Sequence, residues 1–173
     1  MKTALRDGLQ FVRDNDLHTV WQAFNRRDTH PVLQFFKYGL CGILAMATHL
    51  LVFYALAYSA LPAVEGMIVQ GTPIDDSLRA RNATLANFAG FFVANFVGYA
   101  TNVLWVFQPA RHHRIVEFLL FTGVAFLGFL AGLLGGPLLI RLFGISTHLA
   151  QIFFVVTSVA VNYLCRKFLI FKQ

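Results

Sequence analysis

Five cations and a few amides and hydroxyls interrupt an otherwise apolar chain, and they define the chemistry open to it. Lys37, Arg111, Arg114, Arg166 and Lys167 each stand near the end of an apolar run. Arginine grips phosphate oxygens with a planar two-pronged fork, and lysine does so as a point charge. Gathered at one level, the five would make an anion site. They could equally be orienting charges that meet anionic lipid. Asn102 and Asn162 fall near the same level and could add hydrogen bonds to a phosphate, as could the hydroxyls of Tyr99 and Tyr163. Deeper in the runs stand His49, Asn87, Asn95 and Ser158. An ionisable group inside a bilayer is a functional candidate by default. His49 could therefore relay a proton or bind a hydroxyl, or simply pack as a neutral ring bonded to a carbonyl. For Asn95 and Asn162 the structural alternative is an interhelical hydrogen bond, worth about 0.6 kcal/mol on average.

Covalent catalysis finds no footing. No carboxylates pair within the apolar runs, Glu117 stands at the edge of one, and there is no nucleophile–base arrangement or phosphate-cradling glycine loop. The adjacent His112 and His113 do not have metal-ligand spacing. Asp75 and Asp76 read as a solvated acidic loop. A non-enzyme without cofactor or metal is expected.

The elements that must hold these residues follow from composition. The 173 residues are 57% hydrophobic and 13% charged, against about 25% charged in a soluble domain. A single domain of this length has too much surface for its volume to hide so much apolar area from water. Four runs qualify as membrane spans, at residues 38–61, 85–107, 118–140 and 149–170. A helix of about 23 residues is roughly 34 Å long, enough to cross with some tilt. Eleven of the 14 Lys and Arg fall on the side of the two termini, and only Arg79, Arg81 and Arg141 fall on the other. The positive-inside rule then puts both termini in the cytoplasm. The net charge of +6 would suggest nucleic acid in a soluble chain, but here it is membrane topology and no nucleic-acid partner is expected.

Residues 1–31 form a separate segment. They carry charges throughout, so no secretory leader is expected. Leu5, Leu9 and Val12, then Leu17, Val20, Trp21 and Phe24, recur at helical spacing. This predicts an amphipathic helix on the inner membrane surface, closed by Pro31. Cys41 and Cys165 fall near the cytoplasmic ends of spans, where no disulfide is expected.

The chain also repeats itself. At an offset of 64, Leu85-Ala86-Asn87 lies on Leu149-Ala150-Gln151, and Gly98 to Phe107 lies on Asn162 to Phe171. Tyr99 then matches Tyr163, and Phe107 matches Phe171. Phe35-Phe36-Lys37-Tyr38-Gly39 resembles Leu119-Leu120-Phe121-Thr122-Gly123 at an offset of 84, and the extra length falls in the connection 62–81, expected to be irregular. Two helical hairpins, about 32–108 and 116–172, therefore start on the same side as parallel repeats. Small residues recur every four positions: Ala86, Gly90, Ala94 and Gly98 in one span, Gly128, Gly132 and Gly136 in the next. Residues four apart share a helix face, and small ones let helices approach closely, within the chain or in a dimer. Gly135-Gly136-Pro137 is a candidate kink or break.

These blocks, with Arg111-His112-His113-Arg114 before Glu117-Phe118-Leu119-Leu120-Phe121, resemble the GtrA-like family over residues 34–172. The resemblance implies an all-α membrane protein of four transmembrane helices in the bacterial inner membrane. It further implies flipping or binding of polyprenyl-phosphate-linked sugars for cell-surface polysaccharide synthesis or modification. Lys37, Asn102, Arg111, Arg114, Asn162, Arg166 and Lys167 would then hold the lipid phosphate or the sugar, and the tail would lie in a Phe-lined lateral groove. The alternative is a non-transporting subunit that anchors or organises a glycosyltransferase. Membrane lipids, a partner glycosyltransferase and a homo-oligomer, a dimer first, are the expected partners, because four spans leave little room for a pathway in one monomer.

Overall fold

The computed structural model describes residues 10, 13–26, 31–106 and 113–165, with the backbone alone described at 31, 32, 159 and 162–165. Among these residues the chain forms five helices: α1 (Leu17–Asn25), α2 (Pro31–Ala57), α3 (Asp76–Thr101), α4 (Arg114–Phe143) and α5 (Thr147–Cys165). A π-helical turn, Asn102–Val106, prolongs α3. A two-stranded antiparallel hairpin, β1 (Ile68–Val69) with β2 (Thr72–Pro73), sits in the connection between α2 and α3. Leu33–Ala57, Asp76–Val106 and Arg114–Phe143 are each long and apolar enough to cross a bilayer, and Thr147–Ser158 is a shorter apolar stretch of α5. The protein is an all-α membrane protein. Helix α2 packs on α3, α3 on α4 and α4 on α5, so two hairpins lie side by side and α3 is sandwiched.

The burial pattern shows how these helices assemble. Along α2 the buried residues are Leu33, Lys37, Cys41, His49, Phe53 and Ala57, one stripe of period four in which Ala45 is half-buried. Phe35, Phe36, Leu40, Ile43 and Leu44 face outward, as lipid-facing positions do. Helix α3 is buried on two faces. A Cβ on Gly90 would lie 3.0 Å from the carbonyl oxygen of His49, and one on Gly98 would lie 3.3 Å from Ala45, so this stripe seats α2. The adjacent stripe, Phe91 and Asn95, meets Phe129 and Thr122 of α4. In the second hairpin Gly128 is buried, Gly132 sits against the backbone of Phe154, and Gly136 sits against that of Ala150. The 149–170 span is helical through Cys165, and its remainder lies outside the described residues.

Three boundaries differ from the sequence reading. The first helix ends at Ala57 rather than near 61, because Pro62 disfavours helix at Leu61 and the last turn closes through Leu61 N–H to Leu56 O (2.9 Å) and Ala63 N–H to Ala57 O (3.1 Å). The connection 62–81 is not irregular throughout. Asp75 caps α3, its carboxylate accepting the N–H groups of Ser77 (2.8 Å) and Leu78 (3.0 Å), so the helix starts at Asp76 and carries Arg79 and Arg81. Finally, α4 runs unbroken through Pro137, which is buried inside the bundle. A membrane helix tolerates proline where neighbouring helices and local adjustments re-satisfy the freed backbone groups.

The glycine stripe of α4 yields a prediction. A Cβ on Gly132 would come to 2.7 Å from the carbonyl oxygen of Phe154, whereas one on Gly39 meets nothing within 4 Å. Gly132→Ala should cost about 1–3 kcal/mol and lower the unfolding midpoint in detergent, while Gly39→Ala should not. Equal midpoints for the two variants would contradict the close approach of α4 and α5.

Candidate functional site

At the centre of the bundle three buried polar side chains converge from three helices. Asn87 Oδ1 accepts a hydrogen bond from Gln151 Nε2 (3.0 Å) and pairs with His49 Nε2 (3.0 Å). Gln151 Nε2 also lies 3.4 Å from His49 Nε2. The His49 ring stacks on Phe154, with centroids 5.1 Å apart and an interplanar angle of 8°. Asn87 is 1% exposed and Gln151 3%. These two residues are the ones that the offset of 64 lays on one another. The bond between them joins repeat-equivalent positions of the two hairpins. Gln151 was not recognised as a site residue from sequence, although its repeat partner Asn87 was.

On the terminus side of this cluster, at mid-depth, lies a cavity of 210 Å³ to which α2, α3, α4 and α5 all contribute. It brings together His49, Ala94, Asn95, Gly98 and Ser158, with Phe91, Phe121, Phe129 and Phe154 among its walls. Asn95 donates from Nδ2 to Thr122 Oγ1 (2.7 Å), which leaves its Oδ1 buried without a partner. Ser158 Oγ is likewise buried and unpartnered.

On the opposite side of the cluster the bundle is closed. Phe53, Ala83, Gly136, Ile140 and Ala150 pack with no space left for a water-sized molecule. Above them Arg79, 2% exposed, bridges both hairpins. Its guanidinium meets Glu65 (3.3 Å) and Asp76 (2.7 Å), and donates to the carbonyl of Gly144 (3.3 Å). Thr147 N–H donates to the same Glu65 oxygen (3.0 Å), and Thr147 Oγ1 donates to the carbonyl of Ala63. Gly144, with φ +60°, ends α4 in the left-handed region, and a Cβ there would lie 2.8 Å from Asp76. Glycine alone suits both conditions. Alongside, Tyr54 Oη lies 3.0 Å from His148 Nδ1, a second link between α2 and α5. The acidic residues read as a solvated loop are thus a cap (Asp75) and an arginine clasp (Asp76, Glu65). Burial tends to raise the Glu65 carboxyl, but the Thr147 N–H, its own backbone N–H, His148 and Arg79 together hold it below its ordinary value.

The expected ring of cations is only partly described. Lys37 is fully buried rather than open. Its Nζ donates to the carbonyl of Arg26 (2.8 Å) and lies 5.3 Å from the centroid of the Trp105 ring and 6.0 Å from that of Phe24. It pins the end of α1 to the terminus-side end of the first hairpin, where Phe24 packs edge-on against Trp105. Asn102, within the π-helical turn, donates to Gly98 O (2.8 Å) and keeps a buried, unpartnered Oδ1. Arg114 is exposed at the start of α4, where its carbonyl accepts the Tyr99 hydroxyl (3.1 Å). The backbone of Asn162 and Tyr163 is helical in α5. Arg111, Arg166 and Lys167 lie outside the described residues.

The family model described as GtrA/DPMS, transmembrane domain, matches residues 37–171. No curated protein and no solved structure matches the chain.

Two measurements check this geometry. In a double-mutant cycle, Asn87→Ala and Gln151→Ala should be coupled by about 0.6–1.7 kcal/mol, the range for interhelical bonds in membranes; strict additivity would contradict a direct bond. The acidic limb of stability tests the clasp. A carboxyl held low in the folded state stabilises above its unfolded pKa, about 4.3, and that contribution is lost as pH falls through the folded value. The unfolding midpoint should fall below about pH 4.3, and Glu65→Gln should flatten that fall; an identical acid profile in the variant would contradict it.

Proposed function

The chain belongs to the GtrA/DPMS transmembrane-domain family, and on that premise we propose that it binds polyprenyl-phosphate-linked sugars and carries them across the bacterial inner membrane. The family's association is with the flipping of lipid-linked sugars and related glycosylation functions. The single observation that carries the finer reading is the uneven bundle. An aromatic-walled cavity lies on the terminus side of the Asn87–Gln151 pair, and a packed, clasped end lies on the other. With the termini in the cytoplasm, as the charge bias directs, such a bundle accepts its ligand from the cytoplasmic leaflet.

The parts divide by chemistry. The phosphate belongs at the cytoplasmic edge, held by Arg114 with Arg111, Arg166 and Lys167 and flanked by Asn102 and Asn162. Lys37 stands apart: buried beneath α1, it fixes the edge of the first hairpin instead of meeting the headgroup. The prenyl chain needs only apolar surface and runs along the lipid-facing aromatic side chains. The protein does no covalent chemistry on this lipid; it works beside the glycosyltransferase that makes or uses it, as a homodimer whose paired bundles widen the pathway.

Native mass spectrometry of the purified protein tests this directly. A polyprenyl-phosphate species should co-purify. Arg166→Ala with Lys167→Ala should weaken undecaprenyl phosphate binding at least about tenfold, since hydrogen bonds to charged groups contribute about 1.5–3 kcal/mol each. A lipid-free wild type that also fails to take up added undecaprenyl phosphate would sink the proposal, and unchanged affinity in the variant would remove the phosphate site.

A further inference from the structure

We infer that α1 is an in-plane anchor whose Leu17–Trp21 edge docks into the lipid of the terminus-side interface, by apolar insertion rather than by charge. The inference is independent of what the protein carries across the membrane. Asp16 caps the helix by accepting the Thr19 N–H (3.3 Å), and the nine residues that follow divide into three sectors at 3.6 residues per turn. Val20, Ala23 and Phe24 are half-buried on the side that meets the bundle. His18, Gln22 and Asn25 are exposed on the opposite side. Between these sectors, one turn apart, stand Leu17 and Trp21, 89% and 62% exposed. The helix thus has two apolar sides, and the bundle covers only one of them.

The level of α1 in the molecule says what covers the other. The Arg26 carbonyl accepts from Lys37 Nζ (2.8 Å), and Lys37 is the fifth residue of the Leu33–Ala57 span. Phe24 packs edge-on against Trp105, with centroids 5.2 Å apart, and Trp105 is the next-to-last residue of the Asp76–Val106 span. Helix α1 is therefore held against the end turns of two membrane spans, not in the water beyond them. At the same end of those spans Phe35, Phe36 and Leu104 are exposed as lipid-facing positions are, and the same medium reaches Leu17 and Trp21. Tryptophan suits this level because its ring is amphipathic. The mode of docking follows from charge. Surface helices usually carry Lys and Arg on the polar face, but Leu17–Asn25 contains neither. The charges of Arg13, Asp14, Asp16 and Arg26 around it cancel. Lys37 is buried beside Phe24 and Trp105, away from headgroups. Attraction to anionic lipid therefore adds little, and removal of the apolar edge from water carries the docking.

Tryptophan fluorescence of the full chain in nanodiscs tests this. The chain has two tryptophans, so Trp105→Phe leaves Trp21 as the sole reporter. In phosphatidylcholine brominated on its acyl chains, Trp21 emission should fall by at least half relative to the unbrominated lipid. Aqueous acrylamide should quench it severalfold less than it quenches free tryptophan. The bromolipid quenching should be the same when phosphatidylglycerol is mixed in, and the same at low and high salt. Quenching by acrylamide without quenching by bromolipid would put the edge in water and overturn the inference. Quenching by neither would mean that protein, a second copy first, covers the edge, and overturns it equally. Bromolipid quenching that needs the anionic lipid, or fades in salt, would overturn the apolar mode of docking. Should Trp105→Phe unfold the bundle, Leu17→Cys in a Cys41→Ala, Cys165→Ala background keeps both tryptophans. An environment-sensitive maleimide dye at that position should emit to the blue and be quenched by spin-labelled lipid, and the same dye at His18→Cys should do neither. Equal emission and quenching at the two positions overturns the inference.

Discussion

Four helices in a bilayer gain little from burying apolar side chains against one another, because lipid tails are as apolar as leucine. What distinguishes one packing from another is where polar groups find partners. In this protein the decisive partnership is the hydrogen bond between Asn87 and Gln151, with His49 completing the cluster. Sliding either hairpin by a turn would strand buried amides in a medium that offers no substitute. The register of the two hairpins, and with it the depth of everything above and below, follows from that pairing.

The two sides of the cluster then diverge. Towards the long connection, alanines and Phe53 fill the space between helices, and Arg79 ties Glu65 and Asp76 of the first hairpin to the Gly144 turn of the second. Towards the termini, α3 presents Ala94 and Gly98 where bulkier residues would close the gap, and aromatic rings stand around the space that results. Repeat-related positions carry different residues there: Ala94 corresponds to Ser158, and Gly98 to Asn162. The repeats therefore share a frame but line the cavity with different residues.

Much of this frame was legible in the sequence. The offset of 64 had already placed Asn87 on Gln151, but a repeat says which residues are equivalent, not that equivalents touch across the axis. The contact of Gln151 with Asn87 follows only from the packing of α5 beside α3. The period-four glycines described close helix approach; which helix they meet depends on Phe154, Ala150 and His49, which lie far away in the chain. The arginine clasp was hidden because Asp75 and Asp76 sit beside a glycine- and proline-containing stretch, and only the capping geometry shows that the helix starts between them. Lys37 looked like an open inner-edge cation because its neighbours in sequence are apolar. Its cover comes from α1 and from Trp105, which a π-helical turn brings beneath it.

The cavity lies on the terminus side of the Asn87–Gln151 pair, and the other side is packed. Side-specific thiol labelling in vesicles measures this difference, using single cysteines at Ala45, on the cavity wall, and at Ala83, in the packed end, in a Cys41→Ala, Cys165→Ala background. An impermeant reagent should modify Ala45→Cys from the face that carries the termini, and should leave Ala83→Cys untouched from either face. Labelling of Ala83→Cys from the opposite face, or protection of Ala45→Cys from both, would contradict the account.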